Sequence, residues 1–166
     1  FGLAFPIALQ NLINTAVTTA DVVMLGKVGE TALSSGSLAG QVQFVMGLMV
    51  FGMTSGASVL TAQYWGKKDI RTIEKVFSMT ICFALTAGMV FFLAAELFPE
   101  QIMHIFSSEQ EVIEGGAAYL RIVAFSYPLS AFCMGYLYLM RSVERAKIGT
   151  AVFACSLVAN VVMNMI

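Results

Sequence analysis

The sequence predicts an all-α protein that crosses a membrane several times. Three observations carry this. Of the 166 residues, 58% are hydrophobic and only 11% charged, less than half of the roughly 25% charged share of ordinary soluble domains. Apolar runs recur at the length of about twenty residues that a helix needs to cross the hydrocarbon core. Most of the charges lie in the stretches between those runs. A formal net charge of −1 gives no reason to expect nucleic acid as a partner; the lipid bilayer is the expected surroundings.

Five spans are expected, at about 3–25, 37–63, 76–98, 117–140 and 148–166. The first opens on Phe5-Pro6 and runs through small and apolar residues to Leu25. The second is glycine-rich. Gly36 and Gly40, then Gly52 and Gly56, form two small-xxx-small pairs of the kind that let helix backbones approach. The third is a continuous apolar run up to Phe98. The fourth carries Pro128 in mid-span, where a missing N–H predicts a kink, either as a hinge or as a static bend. The fifth begins near Ile148 and is still apolar at Ile166. With no starting methionine and an apolar run open at the C-terminus, the chain is expected to be a piece of a longer protein.

The stretch between the third and fourth spans alternates apolar and acidic residues at helical spacing. It is expected to form a short interfacial turn and an amphipathic entry, with Ser107 or Ser108 capping and Glu111 completing a capping box. Tyr119 and Arg121 would sit near the headgroups.

Loop charge orients the spans. The second connection holds Lys67, Lys68, Arg71 and Lys75, and the fourth Arg141, Arg145 and Lys147, together seven of the nine basic residues. The third holds Glu96, Glu100, Glu109, Glu111 and Glu114. The alternation places the basic connections and the N-terminus in the cytoplasm, and the plasma membrane is the expected location.

No enzyme constellation is present: there is no Cys/His pair, nucleophile elbow or Walker motif, and no metal-ligand spacing. Cys82, Cys133 and Cys155 each lie in apolar runs and are expected to be small buried hydrophobes. The single histidine, His104, reads as a surface residue.

Polar residues inside spans carry the functional signal. Gln10, Asn14, Thr18 and Asp21 fall within about 80° on a helical wheel, so the first span has a polar stripe ending in an acid. Lipid offers such groups no partner, and a central aspartate costs about 2.5–3.5 kcal/mol to insert. Asp21 is therefore a candidate site for a coupling proton or Na⁺, the alternative being an interfacial acid paired with Lys27. Asn160 and Asn164, four apart, share one face of the fifth span. They can serve an acid, a cation or helix–helix contact.

The chain resembles the first half of a transporter of the MATE (multidrug and toxic compound extrusion) family. The likeness rests on "FPIALQNLINTAVTTADVVMLGKVG", with an early proline and an Asp before Met-x-Gly; on "FGMTSGASVLTAQYWGKKD", a Gly-rich run ending in Ala-Gln-x-x-Gly-x-x-Asp; and on "AAYLRI" and "RSVERAK". The resemblance implies most of one six-helix lobe of a twelve-helix, two-lobe transporter, with residues 1–166 as a partial N-terminal lobe and a C-terminal lobe of the same chain as its partner. It implies antiport of organic, often cationic compounds by alternating access, with H⁺ or Na⁺ as coupling ion and no other cofactor. By the same resemblance the intramembrane acid falls on Asp21 and a polar pair on Asn160 and Asn164. Asn164 stands where some members carry Asp, which leaves one titratable group in this set. Gln10, Asn14 and Thr18 would line the substrate cavity. The rivals are a flippase for lipid-linked oligosaccharides, which would call for several cations within the spans, and a membrane assembly subunit that transports nothing.

Overall fold

The computed structural model describes residues 29–143 continuously, together with residues 8, 11–13, 15–16, 18–19, 22–23, 26, 152, 155–156 and 159. Five helices are fully bounded there: α1 (Glu30–Gly66), α2 (Ile70–Leu97), α3 (Pro99–Phe106), α4 (Gln110–Ala124) and α5 (Tyr127–Ser142). The described residues before 29 and after 143 are helical, and all but Gly26 fall within the first and fifth predicted spans. No strand occurs among the described residues, and the chain is an all-helical membrane protein as its composition requires.

α1 and α2 are each long and apolar enough to cross a membrane; α4 and α5 qualify together as one bent span. α1 has 37 residues, about 55 Å at the α-helical rise, so it extends well past a hydrocarbon core of about 30 Å. One stripe of α1, Val42, Met46, Val50, Thr54, Ala57 and Thr61, is buried. The rest of its surface exposes Phe44, Leu48, Met49 and Val59. Apolar residues on both faces suit a helix set between protein and lipid. The buried threonines add no free polarity: Thr54 Oγ1 donates to the Val50 carbonyl at 2.8 Å and Thr61 Oγ1 to that of Ala57 at 2.8 Å.

The turn between α1 and α2 is short and specific. Lys68 adopts a left-handed φ of 58°, and the Asp69 N–H returns to the Tyr64 carbonyl at 3.1 Å, closing the last turn of α1. Asp69 then caps α2: its Oδ1 accepts from the Thr72 N–H at 3.2 Å and its Oδ2 from the Thr72 hydroxyl at 2.6 Å. That hydroxyl bond, the Thr72 backbone bond and the nearby Lys75 charge hold the Asp69 carboxyl below its ordinary range.

α2 packs against both α1 and α5 through small residues, among them Ala84, Ala87 and Gly88. A Cβ on Gly88 would lie 2.8 Å from Pro128 Cα and 3.0 Å from the Tyr127 carbonyl oxygen, and one on Gly135 3.3 Å from Ala84 Cβ. Close helix approach therefore happens at this seam. Of the pairs singled out by spacing on α1, Gly36 is buried, but Cβ atoms on Gly40, Gly52 and Gly56 would meet nothing within 4 Å. Regular small-residue spacing marks a smooth face, and whether a neighbour lies on it is a separate matter.

The region expected to be a single span at 117–140 consists of α4 and α5, bent by 57°. Proline lacks an N–H and its ring crowds the carbonyl four residues back, so Pro128 suits the first turn of a new helix, and the break falls just before it. Ser126 secures the break, its N–H and its hydroxyl both bonding the Val123 carbonyl at 2.8 and 2.7 Å. The short segment before α4 is the eight-residue helix α3, whose buried Met103 packs over Gly116 of α4. The expected capping box does not form. Ser107 is extended, and its Oγ accepts from the Glu109 N–H at 3.2 Å, a local turn ahead of α4.

Candidate substrate cavity

Two adjoining cavities, of about 480 and 460 Å³, lie between α1, α5 and described residues of the first and fifth predicted spans. Each is within the usual size of small-molecule sites, about 300–1,000 Å³. They share Gln43 of α1 and Met134 and Tyr138 of α5. The larger is further lined by Asn11, Ser130, Cys133, Arg141, Val152 and Ser156, among others. The smaller adds Thr18, Gly40, Phe44 and Phe51.

The wall common to both is rigid for identifiable reasons. The Tyr138 ring meets Phe51 edge-on with centroids 5.5 Å apart, and the Arg141 guanidinium lies 5.3 Å from the centre of the same ring. Such contacts contribute about 0.5–1.5 kcal/mol each, enough to fix one aromatic rotamer. Met134 packs close to α1 at Gly47, where a Cβ would meet its Cε at 3.5 Å, an ordinary van der Waals contact. The result is an aromatic and thioether surface with Gln43, Ser130 and Arg141 among the polar residues of its lining. It can hold a flat apolar body and hydrogen-bond its polar edge.

Of the residues nominated from sequence, Thr18 lines the smaller cavity. Gln10, Asn14, Asp21, Asn160 and Asn164 lie outside the described residues. The nearby Thr15 and Thr19 hydroxyls turn back to their own helix, donating to Asn11 O at 2.9 Å and Thr15 O at 2.8 Å.

Gln43 and Tyr138 were not singled out from sequence, and Arg141 was read only as a basic residue of the fourth connection. A signal was available: Ser130, Cys133, Leu137, Tyr138 and Arg141 recur at helical spacing along α5 and all line the larger cavity. Reading the cysteines as buried hydrophobes is corrected, since all three are exposed and Cys133 faces the cavity. In a membrane protein a small apolar residue can face lipid or a cavity as readily as a core.

The sequence profile of the MatE family matches residues 6–166. Among curated relatives, "Probable multidrug resistance protein YoeA" of Bacillus subtilis is 23% identical over 95% of this chain and 34% of its own length. A "Probable multidrug resistance protein NorM" of Bradyrhizobium diazoefficiens is 32% identical over 61% of this chain and 22% of its own length. An "FAD transporter" of Shewanella oneidensis is 21% identical over 75% of this chain and 28% of its own length. The matches thus span at most about a third of these relatives. With the profile covering nearly the whole sequence and the helices forming an all-α membrane fold around a drug-sized cavity, the chain belongs to the MatE family.

Proposed function

We propose that this chain is part of the N-terminal lobe of a secondary active efflux transporter, not an enzyme, that exchanges H⁺ or Na⁺ for organic and often cationic compounds by alternating access. The observation that carries the reading is the cavity: Thr18, from the predicted polar stripe, lines it beside an aromatic wall. Asp21 is three residues beyond Thr18, and Asn160 four beyond the cavity-lining Ser156. A helix presents residues three or four apart on one face, and in this reading Asp21 shares the face of Thr18, and Asn160 and Asn164 that of Ser156. Gln10 and Asn14 extend the Thr18 face.

In this reading Asp21 takes up the coupling ion. Binding has to favour one conformation over the other to drive exchange, and each tenfold difference in affinity between states supplies about 1.4 kcal/mol. The topology that goes with it has a cytoplasmic N-terminus, cytoplasmic basic connections and a plasma-membrane location. Full-length protein carrying Asp21→Asn, expressed at wild-type level in proteoliposomes, should lose gradient-driven efflux while still binding substrate. Undiminished efflux would remove Asp21 from the mechanism.

One observation favours a second reading of the substrate. Arg141 is the charged residue among those described as lining the cavity, and one relative is named an FAD transporter. Compounds that join an aromatic ring to an anionic group would match Arg141 and Tyr138. Competition between an aromatic cation and a flavin nucleotide in the same efflux assay separates the two. The lipid-linked oligosaccharide flippase reading calls for more intramembrane cations than this lining provides.

A further inference from the structure

A second groove, of about 400 Å³, lies away from the cavity on the outer face of α2, lined by Arg71, Glu74, Lys75, Ser78 and Met79. All five side chains are exposed. Arg71, Lys75 and Ser78 stand at i, i+4 and i+7, which puts three donors in line on one side of the helix. The same side continues downward as Met79, Cys82, Leu85 and Met89, again exposed. A polar cradle thus sits directly over an apolar track, at the end of a helix long and apolar enough to cross the membrane.

The neighbouring charges are occupied elsewhere. Asp69 is committed to its two bonds with Thr72, and Lys67 is drawn over the Tyr64 ring at 5.5 Å. Arg71 and Lys75 face the groove, Lys75 also acting on the nearby Asp69 carboxylate, with Glu74 the acid on the groove wall. A guanidinium, an ammonium and a hydroxyl in line suit a phosphate. Glu74 disfavours a doubly charged phosphate monoester but can accept a hydrogen bond from a headgroup hydroxyl. The apolar track below calls for an acyl chain.

We infer that this groove holds a phosphatidylglycerol-type lipid: a singly charged phosphodiester on Arg71, Lys75 and Ser78, a headgroup hydroxyl on Glu74, and an acyl chain along Met79, Cys82 and Met89. Basic pockets beside membrane spans are suited to anionic headgroups. The inference is independent of what the cavity transports.

The test uses full-length protein in detergent, with retention of phosphatidylglycerol or phosphatidylcholine followed by native mass spectrometry. Wild type should retain phosphatidylglycerol selectively. Arg71→Gln with Lys75→Gln should weaken that retention about thirtyfold, at about 1 kcal/mol per basic residue near the membrane surface. Lys67→Gln with Lys68→Gln removes the same charge outside the groove and should change retention less than about twofold. Equal loss in the two double variants would mean diffuse surface charge and overturn the proposal, as would wild-type retention in Arg71→Gln/Lys75→Gln. Displacement of the lipid by inorganic phosphate at equal concentration would show a free-anion pocket instead, and also overturn it. If the double variant does not accumulate, Lys75→Gln alone should still show about a fivefold loss.

Discussion

The seam between α2 and α5 and the outer face of α1 use the same residue type to opposite ends. At the seam, glycine is required by contact: a Cβ on Gly88 would strike the backbone of Tyr127 and Pro128 at 2.8–3.0 Å. On α1, Gly52 and Gly56 border open space and Gly40 the smaller cavity, although their spacing is the more regular. What identifies a packing glycine is the backbone opposite it. The sharpest way to break this contrast is substitution. Gly88→Ala should destabilise full-length protein by about 1–3 kcal/mol through overpacking against backbone that cannot give way, and Gly88→Leu should stop it accumulating. Gly56→Ala should be neutral or stabilising by up to about 1 kcal/mol, from helix propensity alone. Thermal unfolding in detergent reads both. If Gly56→Ala is as damaging as Gly88→Ala, another part of the protein covers that face of α1 and the contrast fails.

A second contrast lies within α5, between its seam side and its cavity side. The seam side is small and buried, with Ala131 and Gly135. The cavity side carries Tyr138, held by Phe51 and Arg141. Substitution there should reach transport before stability. Tyr138→Ala removes both ring contacts and is expected to cut efflux of aromatic substrates by about tenfold, on the scale of two such contacts. Tyr138→Phe keeps the ring and should stay within about twofold if the face of the ring is what matters. Comparable losses in the two variants would shift the role to the hydroxyl.

The break between α4 and α5 sharpens the seam side further. Pro128 occupies the first turn of α5, where its missing N–H has no intrahelical partner to lose. Pro128→Ala should therefore cost less than about 1 kcal/mol, and the 57° bend should persist because Ser126 is bonded to Val123. Spin-label distances across the break test this, and a straightened helix would show that the proline alone sets the bend.

Much of this architecture was readable from hydropathy. Lipid forces long apolar helices on any chain that crosses it, so α1 and α2 announce themselves, and the charged turn at Lys67–Asp69 falls where the apolar runs stop. The bend was readable from Pro128, but not its magnitude, which depends on Ser126 and on the seam packing. Thr18 was legible as part of a polar stripe because lipid penalises such groups. Gln43 and Tyr138 were not, because a lone amide or a tyrosine in an apolar run has several uses and only the helix opposite decides between them. The glycines failed for a related reason: spacing reports one surface, and packing needs two.

The smallest expected effect is at the turn where α1 hands over to α2. Asp69 is exposed enough to be tested without disturbing the seam, and its two bonds to Thr72 favour the ionised carboxylate. Because its folded pKa is lowered, the contribution is present in full above the unfolded value of about 3.9. It is lost as pH falls through the folded pKa, where the native carboxylate finally takes up a proton. Asp69→Ala should therefore lower the unfolding temperature slightly at pH 7, and the difference from wild type should narrow below about pH 4. Asp69→Asn keeps an acceptor for the Thr72 N–H and is itself a good cap, so it should fall between the two and show no such pH dependence. A deficit for Asp69→Ala that stays constant down to acid pH would mean that the residue acts through packing rather than charge. The turn would then belong with the seam, where shape decides, and not with the polar ends of the helices.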